Sequence, residues 1–386
     1  MHVRTCLRPL IAATTVALMS PAALRAQSPS DEVRGIPSAP TNGAKVDYSK
    51  ATARQLPVNG KYNAEALKKD IVAALDKDGS LNGIDSIPSA RPGDGKRSAA
   101  KVPTPMVKSK AQLEDFGSAN LPYSTARADL DPLATNQQWP YRAAGKLFFL
   151  DGSDTYVCTA SMIDRGLVVT AAHCVAEFGA KKYYAGWSFI PGYRKGEAPF
   201  GIWKVAKAYV LAAYPDGTAP CDSGVVCRDD VAVLALEPQT IASKKRYAGD
   251  ATGWFTYVAG AMPFTSTGLV HVTQIGYPVC LDDGNLMERN DSQGAISSGS
   301  HDNTVIGSLM CGGSSGGPWV SNFGVKSDLT DTLDGAAATP NIVVGVTSWG
   351  ATDKRVKQQG ASPFLASNIG FLVKAACKDY PETCTH

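Results

Sequence analysis

The sequence predicts an all-β domain, a barrel or a sandwich, over roughly the last 250 residues, behind a leader poor in large apolar side chains. Three observations carry this. Short runs rich in Val, Ile, Tyr and Phe alternate with Gly, Pro, Asp and Ser clusters from Gln137 onward. No long helical periodicity interrupts them until Ile369–Ala376. All six Trp lie beyond residue 136.

In chain order, the first element is a secretory signal peptide over residues 1–26. Arg4 and Arg8 precede a mostly apolar stretch from Leu10 to Leu24, and Leu24-Arg25-Ala26 ends on a small residue suited to cleavage. The apolar run is too short for a membrane span and contains Pro21. Cys6 departs with this segment, which leaves an even set of cysteines in a chain that meets an oxidising compartment. A secreted or periplasmic location follows, with no membrane attachment after cleavage.

Residues 27–135 read as a leader or pro-region, partly disordered. Their aromatic residues are Tyr48, Tyr62, Phe116 and Tyr123 alone, so little surface is available to offset the entropy of ordering. One helix is expected, capped by Asn63, with Leu67, Ile71 and Leu75 on one face and Gly79 ending it. Residues 86–110, with Pro88, Pro92, Gly93, Gly95, Pro103 and Pro105, read as linker. The stretch from Asp78 has Ser80, Asn82 and Gly83 where a calcium loop needs them. Its twelfth position is Ser89 rather than a bidentate Glu, so a helix stop and turn is the better reading.

Strands are expected at Lys146–Leu150, Gly166–Thr170, Trp203–Val210, Val231–Leu236, Thr256–Ala259, Val270–Gly276 and Ile342–Ser348, and a helix at Ile369–Ala376. The formal charge, 38 − 35 = +3, without blocks of like charge, argues against a nucleic-acid binder.

Three local sequences bear chemistry. Val168-Val169-Thr170-Ala171-Ala172-His173-Cys174 offers an imidazole, Asp229-Asp230 before the run Val231–Leu236 a carboxylate, and Cys311-Gly312-Gly313-Ser314-Ser315-Gly316-Gly317-Pro318 a hydroxyl. A serine hydroxyl is a weak nucleophile near neutral pH. It needs a base within hydrogen-bond reach and a third group to fix the tautomer of that base. His is suited to take the proton and return it to a leaving amine. Glycines beside Ser315 let backbone N–H groups approach a substrate, and the Gly313 and Ser315 amides could hold an oxyanion. Gly313-Ser314-Ser315-Gly316-Gly317 also fits the nucleophile elbow of α/β-hydrolases, but those place Asp and His after the Ser, and His386 is the only His that follows here. His271 and His301 lack a second His or Cys at ligand spacing, and Cys221, Asp222 and Cys227 form no metal signature, so no metal and no cofactor is expected.

Together these motifs resemble the chymotrypsin/trypsin-like serine peptidases over residues 136–386, roughly two thirds of the chain. Thr170–Cys174 matches the histidine motif of that family, Gly313–Pro318 its serine motif except at Ser314, and Val346-Thr347-Ser348-Trp349-Gly350 its Ser-Trp-Gly segment. Phe148–Asp151 and Gly276-Tyr277-Pro278 look like its bacterial, glutamyl-endopeptidase-like branch. The resemblance implies two six-stranded antiparallel β-barrels, at about 140–255 and 256–375, with the active site between them and a short C-terminal helix. It implies His173 as base, Asp230 rather than Asp229 as its orienting carboxylate, and Ser315 as nucleophile of a secreted endopeptidase. Thr347, Ser348, Trp349 and Gly350 would bind substrate backbone, and Leu309 would floor the primary pocket.

Leu309 offers no countercharge for Lys or Arg, and Thr347 stands where glutamyl-specific members carry His, so uncharged side chains are the expected preference. Ser314 stands where many animal members carry the Asp that pairs with a new N-terminus, so that activation switch is not expected. Removal of the leader near residues 120–138 would work differently. Among the cysteines the family bridges Cys158–Cys174; Cys221–Cys227 and Cys377–Cys384 are local pairs, and Cys280–Cys311 remains. Peptide or protein substrates are the expected partners of a monomeric enzyme. The alternative is an inactive homologue that binds peptides in the same cleft.

Overall fold

The computed structural model describes residues 32–40, 42–59, 90–98, 100–103, 121–130, 132–219, 226, 228–259, 269–297, 303–324, 339–351, 353 and 355–385. The signal peptide, the helix expected from Asn63, the calcium-like stretch from Asp78, His301 and the Cys221–Cys227 pair lie outside them.

Twelve strands form the body. Ala144–Asp151 (β1), Asp154–Asp164 (β2), Leu167–Thr170 (β3), Ala185–Pro191 (β4), Trp203–Leu211 (β5) and Ala232–Leu236 (β6) make the first set. They run β5-β4-β1-β2-β3-β6, and β6 pairs back to β5, closing an antiparallel barrel. Leu269–Gly276 (β7), Glu288–Ser297 (β8), Asn303–Gly307 (β9), Pro318–Ser321 (β10), Ile342–Ala351 (β11) and Gln358–Pro363 (β12) make the second. These run β11-β10-β7-β8-β9-β12 and close through β11–β12, the same connection order as in the first barrel. Closure joins the first and last strands of each set, and the stretches of β5 and β8 that run past their barrel partners pair instead with segments that precede the barrels in the chain.

The first barrel has a mostly apolar interior, with a few buried polar groups such as Lys146, Thr159 and Ser161. Leu147, Phe149, Val168, Val233 and Leu234 are fully buried, which is why its strands are legible in the sequence. The C-terminal helix, Phe371–Asp379 (α1), starts later than expected. It is preceded by a wide turn over Ala366–Gly370 whose Asn368 Oδ1 accepts from the Leu365 amide at 2.8 Å. It buries Leu372, Val373 and Ala376, and Asp379 Oδ2 at its end accepts from Tyr209 Oη of β5 at 2.9 Å. The strand expected at Thr256–Ala259 shrinks to Thr256–Tyr257, which joins β11 in parallel outside the barrel.

The described parts of the leader lie on the barrels. Val33–Pro37 pairs with β5, Tyr123–Arg127 with β8, and Ala100–Lys101 with Glu197–Ala198. Residues 90–103, expected to be linker, also bridge through Arg91 to Trp254. Backbone bonds and ion pairs such as Arg34–Asp216 at 2.7 Å hold these pieces, together with the buried side chains of Ile36, Ala53, Val102 and Ala128. Two further pieces, Thr52–Ala53 and Val58–Asn59, pair in parallel with β2 and β11. Among the described residues, no helix is long and apolar enough to cross a membrane.

Candidate active site

The imidazole comes from the loop after β3. There the chain turns through one short 3-10 turn, Ala172–Cys174, and the Cys158–Cys174 disulfide ties that turn to β2. His173 is 4% exposed. Its backbone amide donates to Asp230 Oδ1 at 2.8 Å, and its Nδ1 lies 2.8 Å from Asp230 Oδ2. Asp230, immediately before Val231 and β6, is 1% exposed, so the carboxylate grips both the backbone and the ring of His173. Nδ1 is then the protonated nitrogen and Nε2 the free lone pair, because a carboxylate only accepts. Asp229 makes neither of these contacts.

Ser348 adds a third bond to the same carboxylate. Its Oγ donates to Asp230 Oδ2 at 2.5 Å. The β11–β12 register slips between Thr347 and Trp349, and such a bulge re-aims the side chain it contains. Thr347 and Trp349 instead face the second barrel. Trp349 is fully buried, and Thr347 Oγ1 accepts from Gln274 Nε2 at 2.8 Å and Trp319 Nε1 at 3.0 Å.

The hydroxyl comes from the loop joining β9 to β10. Its turn is built on left-handed glycines, Gly313 at φ 95° and Gly316 at φ 76°. A methyl group on Gly316 would collide with the Thr170 hydroxyl and the Ala171 amide, two residues before His173. That close approach brings the Ser315 loop against the His173 loop. The Thr159 amide donates to Ser315 O and its Oγ1 to Gly313 O, both at 2.8 Å. The Gly316 amide donates to Thr347 O at 2.8 Å. Ser315 Oγ and His173 Nε2 are both buried, and neither has a hydrogen-bond partner among the described residues.

Leu309 is partly buried at the foot of the Ser315 loop, where its amide donates to Thr125 Oγ1 at 3.3 Å. Ser314 sits in a polar network that sequence reasoning missed. Its Oγ donates to Cys311 O at 2.7 Å and accepts from Gln359 Nε2 at 3.2 Å. Gln359 Oε1 in turn accepts from Gln274 Nε2 at 2.6 Å. Thr159 was missed as well, since one threonine inside a strand carries no local signal. Disulfides join Cys280 to Cys311 and Cys377 to Cys384. Cys158, His173 and Cys174 gather within 4.8 Å, but the two sulfurs are bonded to each other and are not thiolate ligands.

A family model described as Trypsin matches residues 133–366, more than half of the chain. Among solved structures the chain is similar to a thermostable serine protease AL20 from an extremophilic microorganism. That match has 19% identity, covers 61% of this chain and 97% of that one, and has a TM-score of 0.48. It is similar to protease Anisep from Arthrobacter nicotinovorans at 20% identity, covering 62% and 94%, with a TM-score of 0.44. It is similar to a Glu endopeptidase in complex with MPD at 16% identity, covering 68% and 100%, with a TM-score of 0.46. No curated protein matches it.

Proposed function

The chain belongs to the trypsin family, serine peptidases that act on peptides or proteins, and from that premise we propose that it is a secreted endopeptidase working through Ser315, His173 and Asp230. The observation that carries this reading is the doubly bonded Asp230–His173 pair beside a loop that presents Ser315.

The steps follow from the chemistry of the groups. Rotation about the Cα–Cβ bond of Ser315 brings its Oγ toward His173 Nε2; such bonds often tighten only with substrate bound. Nε2 takes the hydroxyl proton while Oγ bonds to the scissile carbonyl carbon. The resulting oxyanion takes hydrogen bonds from the Gly313 and Ser315 amides. The C–N bond then breaks, His173 returns the proton to the leaving amine, and an ester on Ser315 remains. Water, deprotonated by His173, attacks that ester and releases the acid and the serine. Asp230 holds the ring in place and stabilises the imidazolium in both halves.

Ser348, Trp349 and Gly350 belong to the strand that receives substrate backbone as an added strand. We assign the enzyme to the bacterial glutamyl-endopeptidase-like branch on Phe148–Asp151 and Gly276–Pro278. Its preference is assigned to uncharged side chains, because Leu309 brings no charge and Thr347 turns its hydroxyl to Gln274 and Trp319. Residues 1–26 act as signal peptide and 27–135 as pro-region, and bonded cysteine pairs suit an oxidising compartment.

The test is to incubate wild type and Ser315→Ala with a peptide library. Cleavage by wild type alone, away from Arg, Lys and Glu, is the expected result. Equal cleavage by both proteins would end this reading.

A further inference from the structure

Leader residues 52–59 cross the cleft between the barrels. Thr52–Ala53 runs parallel to Tyr156–Val157 of β2, and the Arg54 amide donates to Val157 O at 2.9 Å. The carbonyl of Arg54 accepts from the Gly313 amide at 3.2 Å. Further along, Pro57 O accepts from the Gly350 amide at 3.1 Å, and Val58–Asn59 runs parallel to Gly350–Ala351 of β11. One short segment thus holds two backbone donors that a substrate would need. Arg54 anchors it. Its guanidinium lies 3.5 Å from Asp151 and stacks over the Tyr184 ring at 4.8 Å, and it hydrogen-bonds the Tyr184 hydroxyl. A cavity of about 470 Å³ remains, walled by Arg54, Leu56 and Pro57 on one side and His173, Tyr214 and Asp230 on the other. Ser315 beneath is fully buried.

We propose that residues 53–57 are an intramolecular inhibitor of this cleft, a peptide strap that occupies the Gly313 and Gly350 amides and keeps substrate from Ser315. The inference rests on the assignment of Ser315 and His173 as the reacting pair. A carbonyl already bonded to the Gly313 amide excludes the scissile carbonyl from that donor. The strap is tethered, so its effective concentration far exceeds that of a dissolved competitor. Substrate reaches only the fraction of molecules in which the strap is open, and the apparent rate falls by that fraction. Removing the anchor raises the open fraction without touching a reacting atom.

The experiment measures labelling of Ser315 by a fluorophosphonate probe in the full chain, with Ser315→Ala as the blank. Arg54→Ala removes the anchor from the strap, and Asp151→Asn removes its partner from the barrel. The second variant keeps the question open to test should the first fold poorly. At least a tenfold faster labelling of either folded variant than of wild type is expected. Equal rates in wild type and both variants would overturn the strap while leaving the catalytic reading intact. No labelling of wild type or variants would overturn both. A new N-terminus at Gln55 would make the segment a substrate rather than a plug, and would overturn the strap alone.

Discussion

Ser348 Oγ and His173 Nδ1 meet on one oxygen, Asp230 Oδ2, at 2.5 and 2.8 Å. The two side chains come from different barrels, so a single carboxylate ties the two halves of the molecule together at the site. A hydrogen bond to a charged group contributes about 1.5–3 kcal/mol. Ser348→Ala should therefore lower kcat by roughly 10- to 100-fold. Asp230→Asn should cost on the order of 10⁴-fold, because it reverses the tautomer preference of His173. Asp229→Asn should leave kcat close to wild type. Steady-state kinetics of the three variants decide it, and equal losses for Asp229→Asn and Asp230→Asn would reverse the assignment.

Thr159 of β2 grips the Ser315 loop at two points, bonding Gly313 O through its hydroxyl and Ser315 O through its amide. Thr159→Val keeps the shape and its own amide but leaves Gly313 O without that donor and the Tyr277 amide without the acceptor it meets at 3.1 Å. The expected effect is a fall in kcat of about tenfold or more with KM little changed, since each net hydrogen bond contributes roughly 1 kcal/mol. A change confined to KM would contradict a role in holding the Gly313 amide.

The Cys158–Cys174 bond closes a loop of sequence separation 16 directly beneath His173. In the chain-entropy picture a loop of that size stabilises by about 3 kcal/mol. The double variant Cys158→Ala, Cys174→Ala should lose unfolding free energy of that order, read as a lower denaturant midpoint. An unchanged midpoint would mean the bridge contributes nothing to the folded state.

Glu288, buried beside Asp282, is pushed up to about 8 by desolvation first and by that neighbouring carboxylate second. A carboxyl raised in the folded state binds more protons there than in the unfolded chain. Its contribution is fully present below its unfolded pKa near 4.5 and is lost as pH rises through about 8. Lys146, held under Phe148 and Tyr193, is lowered to about 7 by burial, and it has the opposite slope above that pH. Between roughly pH 5 and 7 the Glu288 slope acts without that opposition. Glu288→Gln should flatten the fall in Tm across that window, and an unaltered slope would show that Glu288 ionises normally.

The sequence by itself determined which residue types the proposed chemistry draws on, and much of the first barrel. Thr170–Cys174, Asp230 and Gly313–Pro318 declare their residue types locally. β3, β5 and β6 declare themselves because their inward positions are apolar. The tertiary structure alone decided the rest. In β8 the buried positions Glu288, Asn290 and Ser292 alternate with less buried ones, yet every one of them is polar. Their partners lie on other strands: Thr125 Oγ1 donates to Asn290 Oδ1 at 2.5 Å, and Asn290 Nδ2 donates to Gly307 O at 2.9 Å. β12 hides Gln358 and Gln359 in the same way. A hydropathy pattern cannot mark a strand whose interior face is polar. Nor can it foresee that the Arg54 carbonyl crosses to Gly313, because backbone groups are the same in every residue and only the folded chain chooses their partners.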